Sequence, residues 1–289
     1  MPEKTLPPSG PSETGLRMAF GLYTEEELMQ FVLNLMMANW ETNEGPLFLR
    51  DDLTLAQLAG SRFFTESRLF LNLLREDKGA QLTLQGNLTR ESVASLAGRM
   101  SWSRERLSQL NRMRTKVVNE LDVFPLHIIR TVSGFGGLVT RRRNRLTVSR
   151  RAVELGADDQ AGRLFRHLFI TFFRQLNLDD LSPFRDVPEV QDMIAVILWA
   201  LQMAASHWNS ETDLVRAVLL PKVRQRADAV SPLPDTSASI LDNEVLQPLV
   251  WFGLMECNIT NHEWFKTGET RKFRKTPLFD QFLSFSPLP

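Results

Sequence analysis

The sequence predicts a mainly α-helical protein with short β-hairpins, organised as a unit that occurs twice around a helical core. Three observations carry that expectation. Apolar residues recur at helical spacing through most of the chain, as in Leu28, Phe31, Val32 and Leu35. Alternating runs last only a few residues and sit beside glycine or polar clusters, which marks hairpins and not long strands. The order aromatic, Gly, Leu, strand, polar loop, basic strand, then Ser or Thr appears in "GFGGLVTRRRNRLTVS" and again in "WFGLMECNITNHEWFKTGETRKFRKTP".

The elements follow in order. Residues 1–20 are rich in Pro, Ser and Gly and read as a disordered tail. A helical segment is expected over residues 21–63, opened by Thr24 and Glu27 in capping-box spacing. Two shorter helical patterns between Leu53 and Glu76 break at Gly60. The first unit is expected over residues 64–155. It has a strand at Gln81 to Leu84, a helix capped by Asn87 or Thr89, an inserted basic helix from Ser103 to Leu121, and a third helix with Pro125 in its first turn. Gly136 and Gly137 stop that helix, and a hairpin runs out over Leu138 to Thr140, around Arg141 to Arg145, and back over Leu146 to Val148. Residues 156–230 supply central helices, among them "AGRLFRHLFITFFRQLN" and Met193 to Trp208, apolar on most sides. Residues 231–289 open on the linker "SPLPDTS" and complete the second unit with a helix at Ile240 to Phe252 and a longer hairpin. Helix, strand, helix, helix, hairpin is the order of a winged helix, so two winged-helix-like units are expected.

Composition removes several classes of function. A single cysteine, Cys257, can form neither an internal disulfide nor a cysteine zinc site. The longest apolar run, Met193 to Ala205, falls short of the roughly 20 residues a membrane span needs. No basic cluster followed by an apolar stretch opens the chain, so a cytoplasmic protein without a membrane partner is expected.

The runs "LTLQGNLTRESVASL", "PLHIIRTVSGFGGLVTRRRNRLTVS", "PLVWFGLMECN" and "RKTPLFDQFLSF" together resemble an uncharacterised bacterial family of winged-helix proteins, some of them plasmid or mobile-element associated. The resemblance spans Thr65 to Phe285 and implies the fold; it brings no catalytic residue. The inserted basic helix and the acidic first third depart from it.

Charge distribution is the sharpest functional signal. The chain carries 34 basic and 34 acidic residues, yet between Leu84 and Ala152 fourteen basic side chains meet four acidic ones, an excess of ten. Arg112, Arg114 and Lys116 on the inserted helix and Arg141, Arg142, Arg143 and Arg145 on the hairpin are the phosphate-contact candidates. The always charged, planar guanidinium suits that contact. His127 and Arg130 are the base-facing candidates on the third helix, which has no Asn or Gln to read adenine.

A non-enzymatic nucleic-acid-binding protein with double-stranded DNA as partner is the reading this supports. The competing reading is a protein interaction or assembly module, in which the acidic first third of one copy meets the basic middle of another. Enzyme readings find little support. His127, His167, His207 and His262 stand in no ligand spacing, Cys257 has only His262 nearby in sequence, and "GFGG" precedes a strand without the Lys-Ser/Thr pair of a phosphate loop. No metal or cofactor is expected. Trp102, between two basic helices, is the aromatic that could serve as a stacking surface.

Overall fold

The computed structural model describes residues 24–115, 117–184, 186–259 and 271–286. The expected tail, Lys116, His262 and the tip of the second hairpin lie outside the described residues. The fold is mainly α, with three small antiparallel sheets among the described residues.

Helix α1 (Glu25–Met36) begins at Thr24, where the Thr24 hydroxyl accepts from the Glu27 amide and the Glu27 carboxylate accepts from the Thr24 amide, the reciprocal capping box expected. Leu28, Phe31 and Leu35 turn inward. Strand β1 (Leu47–Leu49) and the single turn α2 (Leu55–Leu58) complete an N-terminal arm.

The first unit runs α3 (Arg62–Glu76), β2 (Ala80–Gln81), α4 (Arg90–Arg99), α5 (Ser101–Arg112), α6 (Phe124–Phe135), β3 (Val139–Arg142), β4 (Arg145–Val148) and α7 (Arg150–Leu155). Helix α8 (Ala161–Gln175) and the turn α9 (Glu189–Asp192) lead to the second unit. That unit runs α10 (Ile194–Ala204), β5 (Asn209–Ser210), α11 (Glu211–Val218), α12 (Pro221–Ala229), α13 (Thr236–Leu241), α14 (Gln247–Trp251), β6 (Met255–Ile259), β7 (Arg271–Lys275) and α15 (Pro277–Phe282), followed by β8 (Leu283–Phe285). The sheet orders match: β2-β4-β3 in the first unit and β5-β7-β6 in the second. In each, the last strand of the hairpin lies between its partner and a short strand from earlier in the unit. Internal repetition is therefore present in strand order as well as in sequence.

Several boundaries differ from expectation for local reasons. The inserted helix ends at Arg112 and does not reach Leu121: Arg114 turns left-handed with φ 57°, and the Thr115 amide donates back to the Leu110 carbonyl. The β-branched run Thr115, Val117, Val118 then favours extended chain. The basic turn of the first hairpin is only Arg143 and Asn144, so Arg141, Arg142 and Arg145 sit in strands. Helix α10 stops at Ala204, before β5. Helix α13 starts at Thr236, inside the expected linker and ahead of the expected Ile240, with Thr236 and Ser237 buried. A π-helical turn, Asp242–Leu246, joins α13 to α14.

Helix α8 is buried on nearly every side. Its Phe165, Phe169, Phe172 and Phe173 surround Phe252, which follows α14, with ring centroids 5.4 to 6.0 Å away. Phe63 of α3 stacks on the same ring at 4.8 Å. The arm crosses α8 at Gly162, where a Cβ would run into the Asp51 carbonyl and the Leu53 amide. Beyond that crossing, β1 pairs antiparallel with β8, Leu47 opposite Phe285 and Leu49 opposite Leu283.

Within the π turn, Glu244 is fully buried and neither carboxylate oxygen meets a hydrogen-bond partner among the described residues. Burial, helped by the charge of Asp179, pushes it up to about 8.

Two outcomes follow from this packing. Gly162→Ala should lower the urea midpoint by the equivalent of about 1–3 kcal/mol, the usual cost of forcing extra volume into a packed contact. For Glu244, the folded chain holds its proton more tightly than the unfolded chain. The contribution of this one group to stability should therefore be greatest below the ordinary carboxylate range and fall as pH rises towards about 8. Urea midpoints measured from pH 5 to 9 should decline less in Glu244→Gln than in the unsubstituted protein; parallel curves would show that the fold does not hold the Glu244 proton above the ordinary carboxylate range.

Candidate nucleic-acid interface

The four arginines of the first hairpin divide into two pairs. Arg145 Nη2 donates to the carbonyls of Gly79 at 2.8 Å, Lys78 at 3.1 Å and Asp77 at 3.3 Å, beyond the end of α3. Unsatisfied carbonyls and the helix dipole favour a cation there, so Arg145 fastens the hairpin to α3. Arg141 donates from Nε to the Arg143 carbonyl at 3.2 Å and from Nη2 to the Leu84 carbonyl at 3.3 Å. Its guanidinium lies over Gly86, whose φ of +92° and missing Cβ leave room for it.

Arg142 and Arg143 are exposed and have no hydrogen bond or ion pair from their side chains among the described residues. Arg143 occupies the left-handed region with φ 52°, a conformation few non-glycine residues adopt, at the tip of a tight two-residue turn. The hairpin thus holds two free guanidiniums on a framework that the other two arginines brace.

Helix α5 presents the next pair. Its start is fixed by buried Glu66, whose Oε1 accepts from the Ser101 amide at 3.0 Å and the Ser101 hydroxyl at 2.6 Å. Leu110 anchors the far end inward, and Arg106 Nε donates to the Asp122 carbonyl at 3.1 Å. Arg112 and Arg114 project from the last turn into solvent, also without partners among the described residues. No contact there joins them directly to the hairpin. Both features flank residues 83–90, the hairpin through Arg141 on Leu84, and the segment after α5 through Arg90 Nε donating to Asn119 Oδ1 at 3.3 Å.

His127 and Arg130 are placed otherwise than a base-facing role requires. Both turn onto Glu120, a residue 1% exposed in the turn before α6. Its Oε1 accepts from Arg130 Nε at 2.6 Å and lies 2.9 Å from His127 Nδ1, while Oε2 accepts from the Leu88 amide at 2.6 Å. Burial alone would raise this carboxyl. The hydrogen bonds from His127, Arg130 and the Leu88 amide, with the Arg130 charge, outweigh it and hold Glu120 below the ordinary carboxylate range. Reaching a base edge would mean breaking this cluster. Its signal in the sequence was an acid seven and ten residues ahead of a histidine and an arginine, inside a basic stretch.

Of the remaining arginines of the basic segment, Arg99 pairs with Glu76 and Asp77, Arg150 with Glu154 and Arg151 with His167, while Arg104 is exposed and has no partner among the described residues. Strand β7 shows the same habit. Arg271 meets Glu211 at 3.1 Å and Asp242 at 2.6 Å, Arg274 meets Glu256 at 2.6 Å, and Lys275 meets Asp280 at 2.8 Å. Exposed apolar side chains missed in the sequence stand among the free cations: Leu84, Met113, Val117 and Leu121. Trp102 packs on Trp251 at 5.4 Å beneath Arg62, and is no open stacking surface. Burial pushes the Cys257 thiol up to about 11, which keeps it protonated near neutral pH. Among the described residues no three His, Cys, Asp or Glu are grouped to hold a metal ion, and no helix is long and apolar enough to cross a membrane.

Glu120→Ala should cost about 3–5 kcal/mol at neutral pH, because it strands the Arg130 guanidinium away from water. Since the folded carboxyl is held low, its contribution is complete above the ordinary carboxylate range and disappears as pH falls through the lower folded value. The gap in urea midpoint between the two proteins should accordingly be wide at pH 7 and narrow on acidification.

Residues 59–161, which enclose the elements from α3 to α7 and stop where α8 begins, match the family described as Y4jL N-terminal domain. The match covers the first unit alone, a shorter span than the resemblance read from Thr65 to Phe285. No curated protein and no solved structure matches the chain.

Proposed function

We propose that the chain is a non-enzymatic DNA-binding protein whose two repeated units are winged helices, and that the first unit holds duplex phosphates with Arg142 and Arg143 on its wing and Arg112 and Arg114 at the end of α5. Lys116 belongs to the same basic run in the sequence. Arg141 and Arg145 act by bracing the wing. The observation that carries this reading is where unpaired guanidiniums project. Among the described residues most arginines have carboxylate or carbonyl partners; Arg75, Arg104 and Arg216 are also exposed without one, but these four stand in pairs at projecting ends of the first unit, two on the hairpin and two at the end of α5. Backbone phosphates, spaced regularly along a duplex, satisfy such cations without any base being read. With His127 and Arg130 engaged on Glu120, little on α6 is left to read sequence, so the binding expected is tolerant of sequence.

A second reading keeps one specific support. Helix α1 exposes Met29, Leu33 and Met37 along one stripe beside Glu26 and Glu27, and the segment after α5 exposes Met113, Val117 and Leu121 beside Arg112 and Arg114. The two surfaces are complementary in charge and both apolar, as an assembly contact between copies would need.

Fluorescence anisotropy with a random-sequence duplex across a salt series separates the two. Engagement of about four phosphates gives a slope of log affinity against log salt near −3.6, and Arg142→Ala with Arg143→Ala should halve it to about −1.8. Arg145 is left intact because its loss would loosen the hairpin. Absence of binding at low salt, together with sedimentation showing association that Arg112→Ala with Arg114→Ala abolishes, would replace the DNA reading by the assembly reading.

A further inference from the structure

A cleft of about 630 Å³ opens between α7, α8 and the N-terminal arm, away from the wing tip. Its volume is that of a site for a small organic molecule. Three guanidiniums line it, those of Arg151, Arg163 and Arg166, together with the imidazole of His167.

The imidazole is fixed on both sides. Nε2 donates to the Gly136 carbonyl at 2.7 Å, which leaves Nδ1 as the acceptor facing Arg151 Nη2 at 3.2 Å. Burial, with the nearby charge of Arg151, holds His167 below its ordinary range and so neutral. The sole side-chain partner of Arg151 among the described residues therefore brings no negative charge. Arg151 is the one cation of the cleft with no carboxylate within ion-pair distance among the described residues.

The other two guanidiniums are also incompletely matched. Asp51 Oδ2 stands 3.9 Å from both Arg163 Nε and Arg166 Nη1, beyond hydrogen-bond reach of either. Arg166 Nη2 is tied to the Trp40 and Glu41 carbonyls at 2.8 Å each, and its buried Nε has no acceptor. On the rim, Glu154 is already paired with Arg150 at 2.8 Å, while Glu41 and Asp159 bring carboxylates that repel a bare anion and accept from hydroxyl groups.

We propose that this cleft binds a small phosphorylated polyol, its phosphate on Arg151 and Arg163 and its hydroxyls towards Glu41 and Asp159. The guanidinium fork of Arg151 supplies the paired donors that a phosphate takes, and the acidic rim selects for a hydroxylated body over inorganic phosphate. This site is separate from the proposed DNA contacts, since neither Arg142 nor Arg143 lines it, and it stands or falls without them.

Isothermal calorimetry with ribose 5-phosphate, inorganic phosphate and ribose tests it on the full chain. Ribose 5-phosphate should bind more tightly than inorganic phosphate, and ribose should give no heat. Arg151→Gln should weaken ribose 5-phosphate tenfold or more while keeping the urea midpoint of the unsubstituted protein, since Arg151 is an exposed helix residue. Arg142→Ala with Arg143→Ala should leave the binding unchanged. No heat with ribose 5-phosphate, equal affinity for inorganic phosphate, or loss of binding in the wing variant and not in Arg151→Gln would each overturn the proposal.

Discussion

Everything in this fold depends on the packing of phenylalanines around Phe252. That ring lies just after α14 of the second unit, yet its neighbours are Phe63 from the first unit and four phenylalanines from α8. Phe282 of α15 closes on Phe165 and Phe169 from the other side, at 4.7 and 5.0 Å. Edge-to-face ring pairs contribute about 0.5–1.5 kcal/mol each beyond the area they bury, and they are directional. Trp251, one residue earlier, touches Trp102 and Phe124 at the starts of α5 and α6. The second unit therefore fixes the orientation of the helices that lead to the free cations of the first.

The two units share a strand order and differ in how the arginines of their hairpins are paired. In the second, Arg271, Arg274 and Lys275 on β7 each find a carboxylate, and the acids Glu211 and Asp242 share Arg271 between them. In the first, Arg141 and Arg145 brace backbone carbonyls, while Arg142 and Arg143 have nothing to neutralise them among the described residues. A net charge of zero conceals this asymmetry. Long-range attraction of a polyanion depends on where unpaired charge projects and not on the sum.

Much of the architecture was legible in the sequence because it is written in local rules. Thr24 and Glu27 specify a capping box, Pro125 a first turn, Gly136 a helix stop, and each lies where those rules put it. The legible part of the interface was the density of arginine. What could not be read were the destinations of individual side chains across long sequence separations. Arg145 reaches Gly79, 66 residues back, and Glu120 accepts from Leu88, 32 residues back; no periodicity within one element encodes either. The short α5 was missed for a different reason: its apolar spacing continues past Arg112, but a left-handed Arg114 breaks the helix where the pattern does not.

The pairing of β1 with β8 has a consequence for how the chain is made. Among the described residues Leu47–Leu49 has Leu283–Phe285 as its one strand partner, so this pairing waits until more than 230 later residues have left the ribosome. Closing so long a loop is entropically unfavourable and slow, and an unpaired apolar strand edge is open to wrong partners while it waits. The sheet is only three residues long on each side. Its brevity limits what a nascent chain exposes, and makes the joining of the two ends a late event that only an already assembled phenylalanine core can template.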